Sequence, residues 1–140
     1  MRNKIDYGID LGTTNSAIAR MENGKPIIKK SESLKDTTPS AISITKKEDI
    51  LCGDKAQSAI VIENRRALIN WDKGNVNSYI EFKRMMGTTE TFESSFLKKS
   101  LTPEELSSEV LKKLKTYIID ENVDSIVITV PAKFLNPQKD

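Results

Sequence analysis

A chain of 140 residues has room for one domain or for a piece of a larger one, and its 37% hydrophobic and 30% charged content suits a packed globular unit, not a disordered segment. Lys and Arg number 22 against 20 Asp and Glu, so a formal charge of +2 makes no electrostatic case for nucleic acid or an anionic membrane surface. One cysteine, Cys52, and no histidine exclude an internal disulfide, a Cys/His metal cage and a histidine general base, which leaves Asp, Glu, Lys, hydroxyls and backbone amides for any chemistry.

In chain order, residues 4–10 (KIDYGID) carry Ile5, Tyr7 and Ile9 at period two and predict a strand. Gly12-Thr13-Thr14-Asn15 supplies turn chemistry, and residues 16–21 (SAIARM) read as the returning strand. Asn23-Gly24 is a hairpin signal, because that pair favours the turn backbone matching strand twist. Residues 26–30 follow as a third strand, 31–38 as a loop, and 39–45 (PSAISIT) as a fourth strand with Ile42 and Ile44 on one face. A helix is expected over 53–62, and between 64 and 78 the periodicity is lost around Trp71, Asp72 and Gly74, which reads as an irregular excursion.

Thr102-Pro103-Glu104-Glu105 is the strongest local signal: Thr can cap, Pro suits the first helical position, and Glu three residues after Thr completes a capping box. Leu106, Val110, Leu111, Leu114, Tyr117 and Ile118 keep one apolar face, with Lys112, Lys113 and Lys115 off it, and the helix is expected to end near Asn122. Residues 124–130 (DSIVITV) form a β-branched run of the kind found in a central strand covered on both faces, and Pro131 stops it. Asn136-Pro137 reads as the start of another helix, so the chain is expected to be a truncated piece of an α/β domain. There is no apolar signal-peptide core and no run near the roughly 18 apolar residues of a membrane span, so a cytoplasmic address is expected.

The chemistry concentrates in 8–16 (GIDLGTTNS), with a carboxylate near a strand end and then a glycine and two hydroxyls in a tight turn. Such a turn can aim backbone N–H groups at one anion while the hydroxyls add donors, and Asp10 then sits where Mg²⁺ or its waters must lie. It is neither the P-loop pattern nor the Gly-rich dinucleotide fingerprint, and Gly12-Thr13-Thr14 taken alone suits a plain hairpin turn equally well.

Residues 7–19 (YGIDLGTTNSAIA) resemble the first phosphate motif of the actin, hexokinase and heat-shock chaperone superfamily, most closely that of the DnaK-type chaperone family. Pro39-Ser40 with the alternating Ile, residues 82–87 (FKRMMG), 103–111 (PEELSSEVL) and 126–134 (IVITVPAKF) resemble further segments of that family in the right order. The resemblance implies an α/β, ribonuclease H-like (actin-like ATPase) fold with a mixed five-stranded sheet, truncated to its first lobe. Residues 1–38 and 102–140 would form the core subdomain and 39–101 a smaller outer one. It further implies ATP or ADP and magnesium as ligands, with Gly12, Thr13, Thr14 and Asn15 on the β- and γ-phosphates and Asp10 on the magnesium hydration shell. Lys83 would reach the γ-phosphate and the attacking water, making Lys83 and Asp10 the catalytic candidates; FKR alone also admits a lysine on a solvated face. Pro131 resembles the proline by which family members relay nucleotide state, but from the residues alone it reads first as a strand terminator.

The implied partners are extended peptide clients, held by a domain outside this chain, and a J-domain co-chaperone. The stretch from Lys83 to Pro103 is shorter than is usual in the family and that from Gly53 to Lys83 longer, which puts a standard nucleotide-exchange factor in doubt. Lys139 stands where an arginine is usual and Lys133 where a tyrosine is, with Leu135 and Pro137 also differing. The implied function is ATP hydrolysis coupled to peptide binding in the full-length protein, the fragment alone being inactive. A sugar or small-molecule kinase, an actin-like filament protein and a non-hydrolysing binder of the same fold are the alternatives.

Overall fold

The computed structural model describes residues 6–70, 77–119, 123 and 125–129. Lys4, Ile5, the irregular stretch around Trp71, Asn122, Asp124, and everything from Val130 onward (Pro131, Lys133, Lys139 and the helix start at Asn136-Pro137) lie outside the described residues.

The N-terminal meander forms as the alternation dictates. Strand β1 (Tyr7–Asp10) turns Tyr7 and Ile9 into the core, and β2 (Asn15–Glu22) returns antiparallel to it with Ser16 and Ile18 buried. Asn23 and Gly24 adopt φ of 50° and 77°, the left-handed backbone of a two-residue hairpin, and lead into β3 (Lys25–Ile28) on the far edge of β2.

The expected fourth strand is split. Thr38–Pro39 (β4) pairs with the first residues of β2, whereas Ala41–Ile44 (β5) leaves that sheet and pairs with β6 (Ile50–Cys52) and β7 (Ser78–Ile80) in a second, three-stranded one. Ser40 is the residue between. Strand β10 (Ile126–Thr129) runs parallel to β1, so the first sheet is mixed and five-stranded, in the order β10-β1-β2-β3 with β4 also on β2.

Helix α1 (Asp54–Asn70) is longer than expected, continuing past residue 62 through a stretch without apolar periodicity, and it packs on β4, β5 and β6. A short hairpin, β8 (Phe92–Ser94) and β9 (Lys99–Leu101), was not legible. Buried Asn77 organises it: its side-chain nitrogen donates to Ser95 Oγ at 2.7 Å, while its oxygen accepts from Ser94 Oγ at 2.8 Å and the Phe96 amide at 3.0 Å.

Helix α2 (Pro103–Lys115) starts as its capping box predicts, with Thr102 Oγ1 accepting from the Glu105 amide and the Glu105 carboxylate accepting from the Thr102 amide. Leu106, Val110 and Leu114 are buried and Tyr117 is half-buried, giving the helix its contacts with β2, β5 and β6. Regular helix stops at Lys115, well short of Asn122, and Thr116 turns its hydroxyl back onto the Lys113 carbonyl at 2.6 Å. Among the described residues β10 pairs with β1 alone, and Val127 and Ile128 are about half exposed where a strand covered on both faces was expected.

Residues from both sheets and α2 share one core: Tyr7, Ile9 and Ile18 meet Ile42, Ile44, Tyr79, Phe82, Leu106 and Val110. Among the described residues no helix is long and apolar enough to cross a membrane.

Candidate functional site

The loop between β1 and β2 gathers most of the predicted site. Asp10 ends β1 with its carboxylate exposed, Gly12 and Thr13 are half-buried, and Thr14 and Asn15 are exposed where β2 begins. An added Cβ at Gly12 would lie 1.9 Å from the Asn15 carbonyl oxygen, so only glycine permits the chain to double back this tightly. The requirement is steric, since Gly12 is not among the positive-φ glycines.

Two buried serines that sequence reasoning left without a role hold this turn. Ser16 Oγ accepts from the Gly12 amide at 3.2 Å, Ser40 Oγ donates to the Gly12 carbonyl at 2.8 Å, and the two hydroxyls lie 2.8 Å apart. The Ser40 amide donates to the Thr14 carbonyl at 2.8 Å. The Gly12 N–H is therefore turned inward onto Ser16 and is not one of the backbone amides that the turn can aim at an anion. Thr129, opposite Asp10 in the parallel register, donates its hydroxyl to Asp10 Oδ1 at 2.9 Å and so fixes one oxygen of the carboxylate. Its place in the 126–134 segment was the only signal for it.

Lys83 reaches the same region from elsewhere in the chain. It lies in a 3-10 helix (Phe82–Met85) entered through Glu81 at φ 55°, a left-handed backbone uncommon for a residue with a side chain. Helix α2 holds this segment: Glu104 accepts from the Gly87 amide at 2.8 Å, and Ser107 Oγ lies 3.4 Å from Met86 Sδ. Arg84 is exposed, but Lys83 is only 2% exposed, so it is not a lysine on a solvated face. Burial pushes its ammonium below the usual lysine range, and the negative charge of Asp10 pulls it part of the way back. Asp10 and Lys83, 73 positions apart in the sequence numbering, thus act on each other electrostatically.

The arrangement offers an anion-sized turn rimmed by hydroxyls, one carboxylate and one desolvated ammonium. The donor set suits a phosphate chain with its cation: hydroxyls and an ammonium for the phosphates, and a single carboxylate for a cation that keeps its waters. Among the described residues no group of three or more Asp, Glu, Cys or His side chains forms an all-protein metal cage.

The family described as Hsp70 protein matches residues 6–140. The chain is 36% identical over 143 residues to the chaperone protein DnaK of Mycoplasmopsis agalactiae, an alignment covering 100% of this chain and 21% of the relative. It is 39% identical over 142 residues to the DnaK of Ureaplasma parvum serovar 3, covering 99% and 21%, and 38% identical over 136 residues to that of Mycoplasma mobile, covering 95% and 20%. The chain thus spans about one-fifth of the length of these curated relatives.

Proposed function

The chain belongs to the Hsp70 family, and on that premise we propose that it is the first part of the ATP-binding domain of a DnaK-like molecular chaperone, in which ATP binding and hydrolysis control the holding of extended peptide clients. The fold is the ribonuclease H-like one of actin-like ATPases. Residues 1–38 with 102–140 form its core subdomain and 39–101 an outer one, the strand path changing sheets at Ser40. Family membership disfavours the sugar-kinase and filament readings that the first phosphate motif left open.

The observation that carries the reading is the convergence of a buried lysine, a carboxylate and a glycine-tight, hydroxyl-lined turn. Thr13, Thr14 and Asn15 would bind the phosphates on the tight turn that Gly12 permits, and Asp10, oriented by Thr129, would hold waters of the magnesium shell. Magnesium supplies charge neutralisation for the phosphate chain when bound. Lys83 places its ammonium where negative charge spreads over the transferred phosphoryl group. Phosphoryl transfer asks the protein mainly for positioning and electrostatic stabilisation, so a fixed, partly desolvated cation is more effective there than a solvated one. The rest of the cleft, including the adenosine pocket, is supplied by chain beyond Asp140. A J-domain co-chaperone is a partner of the full-length protein, which works in the cytoplasm.

Direct binding of ATP with Mg²⁺ to the full-length protein, followed by phosphate release under single-turnover conditions, tests this. A full-length protein that neither binds nor hydrolyses ATP would refute it.

A further inference from the structure

The two serines behind the turn form a closed circuit whose proton inventory has one solution. Ser40 Oγ donates to the Gly12 carbonyl at 2.8 Å, so its single proton is spent there. The 2.8 Å contact between the hydroxyls must then be donated by Ser16, whose oxygen in turn accepts from the Gly12 amide at 3.2 Å. The path runs from the Gly12 N–H to Ser16, from Ser16 to Ser40, and from Ser40 back to the Gly12 C=O. Every donor is used once, and both backbone polar groups of Gly12 are satisfied. Ser16 is 1% exposed and Ser40 3%, so water cannot substitute for a missing member. A fourth bond, from the Ser40 amide to the Thr14 carbonyl, ties down the next part of the turn.

The topology explains why Ser40 is within reach. β4 pairs Thr38 and Pro39 with Ser16 and Asn15, which sets the following residue against the turn, and one residue later the chain enters the second sheet as β5. Ser40 therefore joins the five-stranded sheet, the second sheet and the phosphate turn at one point.

We infer that Ser40, acting through Ser16, is a positioning residue for the phosphate-binding turn: it holds Gly12 and Thr14 inward so that the Thr13, Thr14 and Asn15 side chains stand where phosphates bind. The inference rests on the nucleotide-site reading above. Its consequence is selective: loss of the Ser40 hydroxyl loosens the phosphate end of the site and leaves the nucleoside end alone.

The test uses the full-length protein with Mg²⁺ and measures dissociation constants for ATP, ADP and adenosine. Ser40→Ala is expected to weaken ATP and ADP by about tenfold, equivalent to ~1.4 kcal/mol, while adenosine, which has no phosphate, stays within twofold. Ser43→Ala is the control. It removes a buried serine hydroxyl bonded at 3.0 Å to Ser78 inside the second sheet and should leave all three constants unchanged. Should Ser40→Ala fail to fold, Ser16→Ala breaks the same circuit from its other side and carries the same signature. Wild-type affinities for ATP and ADP in the variant overturn the inference, as does an equal loss for adenosine, which marks general damage. A wild-type protein that does not bind ATP overturns the nucleotide reading and this inference with it.

Discussion

Replacing Gly12 by alanine adds a single methyl group at the tightest point of the proposed site. Its Cβ would stand 1.9 Å from the Asn15 carbonyl oxygen and 3.0 Å from that carbonyl's carbon, and contacts under 3.0 Å essentially never occur at real Cβ atoms. The obstacle is backbone, anchored on one side by the Asn15–Pro39 pairing and on the other by the serine circuit, so relief requires the turn itself to move by roughly 1 Å. A displacement of that size in groups that position a reacting phosphate costs about 100-fold in kcat/KM, or ~2.7 kcal/mol of transition-state stabilisation. The assay is single-turnover ATP hydrolysis by the full-length protein, with Gly24→Ala as comparison. Gly24 has φ of 77° and nothing within 4 Å of a built Cβ, so alanine there costs about 1 kcal/mol of stability through backbone strain and leaves nucleotide turnover alone. Hydrolysis by Gly12→Ala within threefold of wild type would refute the reasoning, as would equal damage from Gly24→Ala.

Lys83→Ala in the full-length protein should slow single-turnover hydrolysis at least tenfold, about 1.4 kcal/mol, while ATP affinity changes much less; an unchanged rate removes Lys83 from the catalytic assignment. Residues 1–140 alone should bind ATP with Mg²⁺ weakly or undetectably in calorimetry, because one lobe lacks the pocket that buries the adenosine, and tight binding would show the site to be misplaced. Burial pushes the Cys52 thiol from 9.0 up to about 11, so at pH 8 alkylation of the folded protein should run about 100-fold slower than after denaturation, in proportion to the thiolate fraction. The sign for stability follows: the Cys52 contribution is complete below pH 9.0 and is lost as pH rises through about 11, and equal alkylation rates in the two states would contradict both statements.

How much of this was legible in the chain depended on whether local chemistry or distant packing decides each element. Tyr7 and Ile9 at period two, the Asn23-Gly24 turn and the Thr102 capping box each determine structure within a few residues, and each appears as predicted. Strands β6 to β9 have three residues apiece, too short for a period to declare itself, and β8–β9 owes its turn to a side chain, Asn77, far from any pattern of its own. Helix α1 continues where its apolar stripe lapses, with Leu68 and Ile69 exposed and Glu63 and Arg66 paired at 3.7 Å on its surface. The split at Ser40 was hidden because 39–45 alternates correctly throughout; which sheet each half joins is a choice made by partners. In the site, the turn residues could be named from the sequence. Their supports, Ser16, Ser40 and Thr129, could not, since a small hydroxyl side chain carries no mark of what it will face.

Energetics that owe nothing to resemblance also bear on the proposed site. A lysine at 2% exposure has given up hydration, and its ammonium is held below the usual lysine range with burial as the leading cause. Packing beside Phe82 does not demand it, because methionine or leucine would fill similar volume without desolvating a charge. Glu81 immediately before it adopts φ of 55°, a conformation that costs a non-glycine residue on the order of 1 kcal/mol. The Asp10 carboxylate offsets part of the lysine's penalty, and Asp10 itself adjoins a turn that tolerates only glycine at position 12. A desolvated lysine thus follows directly on a left-handed Glu81, which is one of five non-glycine residues at positive φ among those described, so the lysine is the more telling departure of the two. Departures of this kind concentrate where a chain is selected for chemistry and not for stability. A buried ammonium that feels the Asp10 carboxylate, with a glycine-tight turn beside that carboxylate, is the arrangement on which the proposed phosphate site rests.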